Sequence, residues 1–188
     1  MIGGNIMRKD LGKKTSFLPL PVLIIGTYDK DGNANAMNAA WGGLTDYNQI
    51  YIALAKHKTT DNLVLKKAFT VSFATKETVT ISDYFGIASG NNEDKIKKAG
   101  VHVTKSKFID APIIEEYPLT LECTVESYED EILIGNVVNV SIDEKYLDEN
   151  GKIDVDKMEI ITFDMVSNTY RVLGDVVGNA FKDGMKLK

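Results

Sequence analysis

Apolar side chains recur at every second position along much of this chain, a period that predicts strands. Residues 22–28 form a continuous apolar run bounded by prolines, and residues 29–33 have the Asp, Lys and Gly composition of a hairpin turn, so two antiparallel strands are expected. The second of them has an unusual composition. Residues 35–43 read Asn, Ala, Met, Asn, Ala, Ala, Trp, Gly, Gly, where a strand that only filled a core would carry branched apolar side chains. Small and polar residues suit a strand against which a flat group can lie. Gly42 and Gly43 then release the backbone into a loop, and residues 49–54 resume alternation with Ile50, Ile52 and Leu54 facing inward together.

Helical signals interrupt the strands. Thr59 or Thr60 can cap a helix that continues through residues 63–67, with Asp61 suited to its first turn. Residues 69–73 are β-like, and residues 78–88 are compatible with a second helix. Residues 89–100 read as a loop and a short helix, acidic early, lysine-rich late and stopped by Gly100. From there to Tyr117 a surface loop containing Pro112 is expected.

Residues 119–125 alternate cleanly, and Glu129 and Asp130 separate them from a second long strand in which Ile132, Ile134, Val138, Val140 and Ile142 share one parity. Gly135 and Asn136 break that pattern, which points to a bulge or to close approach by another backbone. Residues 146–157 are acidic with a turn at Asn150 and Gly151, residues 159–163 make a final short strand, and a tail follows that contains Tyr170 and Gly174. Strands therefore dominate. The pattern favours a mainly β fold, a closed β-barrel with inserted helices, over a doubly wound sheet.

At 188 residues the chain is most simply one domain, residues 1–188, long enough to bury a real core. No apolar run approaches the length needed to cross a bilayer, and the charged residues among the first ten do not fit a signal peptide, so a cytoplasmic protein that avoids membranes is expected. The lone cysteine, Cys123, lies on the apolar face of its strand and reads as a buried structural thiol. A net charge of −5 argues against nucleic acid as a partner, though a local cluster of amides, hydroxyls and a lysine can still hold a small phosphate. His57 and His102 lack metal-ligand spacing, so no metal site is expected, and there is neither a G-x-G-x-x-G fingerprint nor a hydrolytic triad pattern.

Residues 18–22, 26–32 and 35–43 are followed by further landmarks in a fixed order. These are Lys58 to Asn62, Lys67 to Ser72, Asp83 to Gly86, Ser89 and Gly90 with Asp94 and Lys95, Ala111 and Pro112, Leu121 to Cys123, Ile134 to Val137, and Tyr170. In this order and spacing the chain resembles the flavin reductase-like family, the FMN-binding split barrels that include the flavoredoxins. The resemblance covers nearly the whole chain.

It implies FMN as cofactor, and FMN makes three demands: a neutralised phosphate, a hydrogen-bonded ribityl chain, and apolar walls with donors at the polar edge of a wide ring. Lys58, Thr59 and Thr60, at an expected helix N-terminus, suit the phosphate. The alternative is that a threonine merely caps the helix and Lys58 is solvated. Asn38, Ala39, Ala40 and Trp41 suit the ring, with Asn35 and Met37 as secondary candidates. Trp41 is alternatively a core or dimer-interface aromatic, and Asn35 a hairpin residue. Ser89, Gly90 and Lys95 resemble the family's flavin-bordering segment, and Tyr170 matches an aromatic position near the ring; a solvated lysine and C-terminal core packing are the competing readings.

The resemblance further implies an oxidoreductase that moves electrons from NADH or NADPH through FMN to a flavin, iron or protein acceptor. A reduced nicotinamide would lie over an exposed flavin face, and the cofactor would carry the chemistry, so no catalytic side chain is named. The rival is an electron-transfer flavoprotein that takes electrons from a redox protein partner without a nicotinamide. A homodimer with flavin sites near the subunit interface is also implied.

Overall fold

The computed structural model describes residues 7–188; residues 1–6, part of the charged lead-in, lie outside the described residues. The elements in chain order are β1 (Leu20–Pro21), β2 (Leu23–Tyr28), β3 (Ala34–Ala39), β4 (Gly42–Asp46), β5 (Gln49–Ala53), α1 (Lys58–Lys66), β6 (Ala68–Phe73), α2 (Val79–Ile87), α3 (Lys95–Ala99), β7 (Val103–Lys105), β8 (Pro112–Ile114), β9 (Leu119–Glu129), β10 (Ile132–Ile142), α4 (Val155–Met158), β11 (Ile161–Asp164) and β12 (Thr169–Val172), with short 3-10 turns at Glu144–Tyr146 and Asp183–Leu187. None of the described helices is long and apolar enough to cross a membrane.

Seven strands form one antiparallel sheet in the order β3-β2-β6-β9-β10-β5-β4. β3 and β4 are its two edges, yet only Ala40 and Trp41 separate them in the chain. So short a link spans on the order of 10 Å, and the sheet must curl until its edges approach there. The Ala53 N–H donates to the Trp41 C=O at 2.7 Å, carrying the β4–β5 ladder one residue into that link. No ladder joins β3 to β4 among the described residues, so the barrel is split at that seam where the alternation had favoured a closed one.

The curl makes two cores. Leu23, Ile25, Ile50, Ile52, Phe69, Val71, Cys123 and Leu133 meet inside it, while Val22, Ile24 and Ala36 pack outward against Phe85 of α2, Ile114 of β8 and Ile161 of β11. The apolar run of β2 is continuous because both its faces are buried. Ile50, Ile52 and Leu54 are all buried, as their parity predicts. So is Cys123, whose thiol burial pushes up to about 12.

Several elements depart from the sequence reading. Gly42 and Gly43 do not leave the sheet; they open β4, where Gly42 packs so close to Leu23 that a Cβ there would lie 2.9 Å from the leucine Cδ1. In β10 the inward residues are Leu133, Gly135 and Val137, while Ile132, Val138 and Val140 face outward. The expected bulges occur, with register shifts at Ile134/Gly135 and Val137/Asn139, and Gly135 is required because a Cβ there would enter the Phe69 ring. The stretch expected to be a loop before Tyr117 holds a small hairpin, β7 with β8, tied to the barrel by Thr70 Oγ1 donating to the Pro112 C=O at 2.6 Å. Strands of three residues carry too few positions to show a period. The tail likewise contributes β12, which completes a three-stranded sheet in the order β1-β11-β12.

Candidate functional site

The site begins with the hairpin that sets the register of β3. The Asp29 N–H donates to the Asn33 C=O at 2.9 Å, the Gly32 N–H donates to the Asp29 C=O, and Gly32 takes φ +83. The Asp29 carboxylate also accepts from the backbone N–H groups of Asp31 and Asn33, both at 2.9 Å. Together these close a three-residue hairpin loop with glycine in the left-handed position. Counting back along the antiparallel ladder, Thr27/Asn35, Ile25/Met37 and Leu23/Ala39 are the hydrogen-bonded pairs. The N–H and C=O groups of Ala36 and Asn38 therefore point away from β2, off the open edge of the sheet.

Side chains alternate about that edge. Asn35 turns toward α1, where its Nδ2 donates to Thr59 Oγ1 at 2.8 Å, and Asn38 turns toward α2, where its Nδ2 donates to the Ser82 C=O at 2.9 Å. Helix α1 starts two residues earlier than a Thr59 cap requires and three earlier than a Thr60 cap: His57 is the N-cap residue, and Thr59 and Thr60 sit within the first turn. Thr60 Oγ1 accepts from the His57 N–H at 2.9 Å and donates to the His57 C=O at 2.7 Å. Its hydroxyl is thus committed to the helix end. Thr59 accepts from Asn35, and its own hydroxyl hydrogen has no acceptor among the described residues.

A cavity of about 230 Å³ lies between these elements, lined by Asn35, Met37 and Asn38 of β3, His57, Lys58 and Thr59 at the start of α1, residues 85–90, and Lys95. Asp94 caps α3 by accepting from the Lys97 N–H at 3.0 Å, which fixes Lys95 at the start of that helix. Lys95 is only 4% exposed, and its Nζ donates to the Phe85 and Ala88 carbonyls, each at 3.2 Å. No carboxylate among the described residues pairs with it. Burial above all lowers its pKa to about 8, with Glu93 opposing and Lys58 adding to the shift. Lys58 lines the same cavity with its Nζ 3.7 Å from the Asp29 carboxylate. Gly90 closes the wall, and a Cβ there would run into Asn35 Oδ1 and lie 3.3 Å from Lys58 Cδ.

A second cavity of about 340 Å³ continues along β3 and α2, sharing Asn38, Gly86 and Ile87 with the first and adding Val22, Ala40, Asp83, Phe163, Asn168 and Tyr170. The Tyr170 hydroxyl donates to Asp83 Oδ1 at 2.8 Å, and its ring lies 5.9 Å from that of Phe163. The tyrosine pKa is pushed up to about 12, by burial first and then by the Asp83 hydrogen bond and charge. Tyr170 is held there by the turn before it. The Asp164 carboxylate accepts from the Val166 and Ser167 N–H groups and from Arg171 Nε at 2.9 Å, and Arg171 leads the causes that hold it down at about 2.

The structure thus gathers Asn35, Met37, Asn38, Ala40, Lys58, Thr59, Ser89, Gly90, Lys95 and Tyr170 along one cleft. It leaves three sequence candidates off the lining. Ala39 faces the inner core, Trp41 is 63% exposed beyond the strand, and Thr60 is buried at the cap. Asp83, Gly86, Phe163 and Asn168 were missed as site residues; only Asp83 and Gly86 had a signal, as landmarks of the family resemblance. Among the described residues no group of three or more His, Cys, Asp or Glu side chains is placed to hold a metal ion.

A family model, described as the flavin reductase like domain, matches residues 15–156. Among solved structures, flavoredoxin of Desulfovibrio vulgaris (Miyazaki F) is 34% identical with a TM-score of 0.91, covering 95% of this chain and 100% of that one. Flavoredoxin from Methanosarcina acetivorans is 29% identical with a TM-score of 0.88, covering 97% and 100%. An FMN-binding domain of a flavin reductases-like enzyme from Shewanella baltica shares the fold at 17% identity and a TM-score of 0.75, covering 85% and 88%.

Proposed function

The chain belongs to the flavin reductase-like domain family and shares the fold of its FMN-binding split barrels, and from that premise we propose an oxidoreductase that carries electrons through FMN from NADH or NADPH to a flavin, iron or protein acceptor. One observation carries the assignment of the cleft. Lys95 is buried without a carboxylate and shares a cavity with Lys58 at the start of α1, so the cavity has an excess of positive charge that a dianion would relieve.

The residues fit FMN by their chemistry. Lys58, Lys95 and the free hydroxyl hydrogen of Thr59, with the backbone of Ser89 and Gly90, suit the phosphate. Asn35 and Met37 border the middle of the cleft, and the off-edge amide of Asn38 suits the polar edge of the ring beside Ala40, Ile87 and Tyr170. When bound, FMN supplies the electron-accepting and electron-donating chemistry. The protein orients it and shields one side with α2.

Thr59→Ala is expected to weaken FMN binding by about 1 kcal/mol, the worth of one hydrogen bond, and to leave riboflavin binding unchanged. Thr60→Ala should instead cost about 1 kcal/mol of fold stability through the helix end. Equal losses of FMN and riboflavin in the Thr59 variant would remove it from the phosphate site.

The reading as a whole is tested by loading the protein with FMN, excluding oxygen and adding NADH or NADPH. Rapid bleaching of the visible absorption is the expected result. FMN that binds but bleaches only with a chemical reductant would favour the second reading, an electron-transfer flavoprotein served by a redox protein, which the likeness to two flavoredoxins supports. A homodimer belongs to the same proposal. Trp41, Leu44 and Tyr47 are 63%, 74% and 98% exposed, and Leu44 borders an apolar groove lined also by Leu23, Ile50, Val71, Phe73 and Leu121, a surface that a second copy would cover. A monomeric mass for the FMN-loaded protein would exclude it.

A further inference from the structure

The cleft is charge-segregated. Its narrow end carries Lys58 and Lys95, whereas its other end carries a carboxylate, Asp83, on the α2 turn that also carries Ser82 and the Asn38 contact. Asp83 is accessible from the second cavity, and the one side-chain group bonded to it among the described residues is the Tyr170 hydroxyl. Tyr170 arrives from β12 of the separate small sheet, on a hairpin locked by Asp164 and Arg171. The carboxylate is therefore held at the cavity wall by a donor that neither neutralises nor removes its charge.

We infer that Asp83, positioned by Tyr170, sets the reduction potential of the bound flavin by holding a negative charge beside the ring end of the cleft. This rests on the proposed placement of the cofactor. Reduction adds two electrons to the ring. If one proton accompanies them the ring becomes anionic, and if two accompany them it stays neutral. A fixed carboxylate nearby raises the energy of the anionic product and so lowers the potential, making the bound cofactor a stronger reductant. The same charge repels the phosphate from this end, which gives the cleft a direction for the cofactor. A ring bound over Asp83 also takes it out of water, where its field is otherwise screened.

The experiment is an equilibrium redox titration of FMN-saturated wild type, Asp83→Asn and Tyr170→Phe, with the visible spectrum of each and of Tyr170→Ala. Asp83→Asn is expected to raise the two-electron potential by about 30 mV, which is a tenfold tighter hold on reduced relative to oxidised FMN. Tyr170→Phe removes the hydroxyl and keeps the charge, so it should not raise the potential. A purely structural role for the pair would move both variants the same way, and that result overturns the inference. So does an unchanged potential in Asp83→Asn when Tyr170→Ala still shifts the flavin spectrum, which leaves the ring placement standing. If no variant alters spectrum or potential, the placement of the ring fails and the inference with it.

Discussion

Lys95→Met lowers FMN affinity about 10- to 100-fold and leaves riboflavin affinity within about twofold. The charge-assisted hydrogen bond lost is worth about 1.5–3 kcal/mol. Methionine keeps the unbranched apolar stem of lysine and lacks only its ammonium end, so the wall beside Phe85 stays filled, and a lysine that is 4% exposed with only carbonyl partners is a poor contributor to the fold without a ligand. The thermal midpoint of the ligand-free variant should therefore match or exceed that of the wild type. Paired titrations of FMN and riboflavin read the difference, and equal losses for both would remove Lys95 from the phosphate site.

The same residue makes affinity depend on pH. Its folded-state pKa, about 8, lies below the ordinary 10.5, so between those values the unfolded chain holds more protons than the folded one. The ligand-free fold accordingly carries the cost of a buried charge below about 8 and gains stability as pH rises from there toward 10.5. FMN has the opposite interest, because its phosphate favours the protonated lysine. Affinity for FMN should fall as pH rises above about 8, by up to tenfold per unit, and Lys95→Met should flatten that profile. Glu93, Asp29 and Lys58 are the charged neighbours whose fields accompany it.

Gly90→Ala is the second large effect, with FMN affinity reduced on the order of 10- to 100-fold. The added Cβ has nowhere to go but into Asn35 Oδ1, and Lys58 Cδ blocks the other side. Either Asn35 turns away and leaves Thr59 without its partner, or the segment carrying Ser89 withdraws from the cavity. An unsatisfied buried polar group costs about 1–3 kcal/mol and overpacking a similar amount. Asn35→Ala opens the space, so the double variant should recover part of the loss, with a coupling of about 0.5–3 kcal/mol in a double-mutant cycle. Strictly additive losses would show that the Gly90 backbone and Asn35 do not press on each other.

The hairpin leading into β3 was legible because its cause is local. Asp29, Gly32 and Asn33 lie within five residues and specify one hairpin, and the ladder alternation carries that choice along the strand. The same holds for the ends of α3, where Asp94 and Gly100 act on neighbouring backbone, and for the inward parity of Ile50, Ile52 and Leu54. A resemblance spread over nearly the whole chain supplied the rest of the architecture, since no single motif in it is specific.

Other features were decided by partners distant in sequence. Lys95 has both a flavin-bordering and a solvated reading until the last turn of α2 covers it, and Thr60 reads as a phosphate donor or a helix cap until the His57 backbone takes its hydroxyl. The inward face of β10 has glycine at position 135 because the ring of Phe69, distant in sequence, occupies the space a Cβ would take. Asp83 and Tyr170 meet across 87 positions. Local chemistry determines turns, caps and alternation because its partners are always within reach; which lysine loses its water, and which carboxylate finds a hydroxyl, is set only when the curled sheet brings separate segments against one open edge.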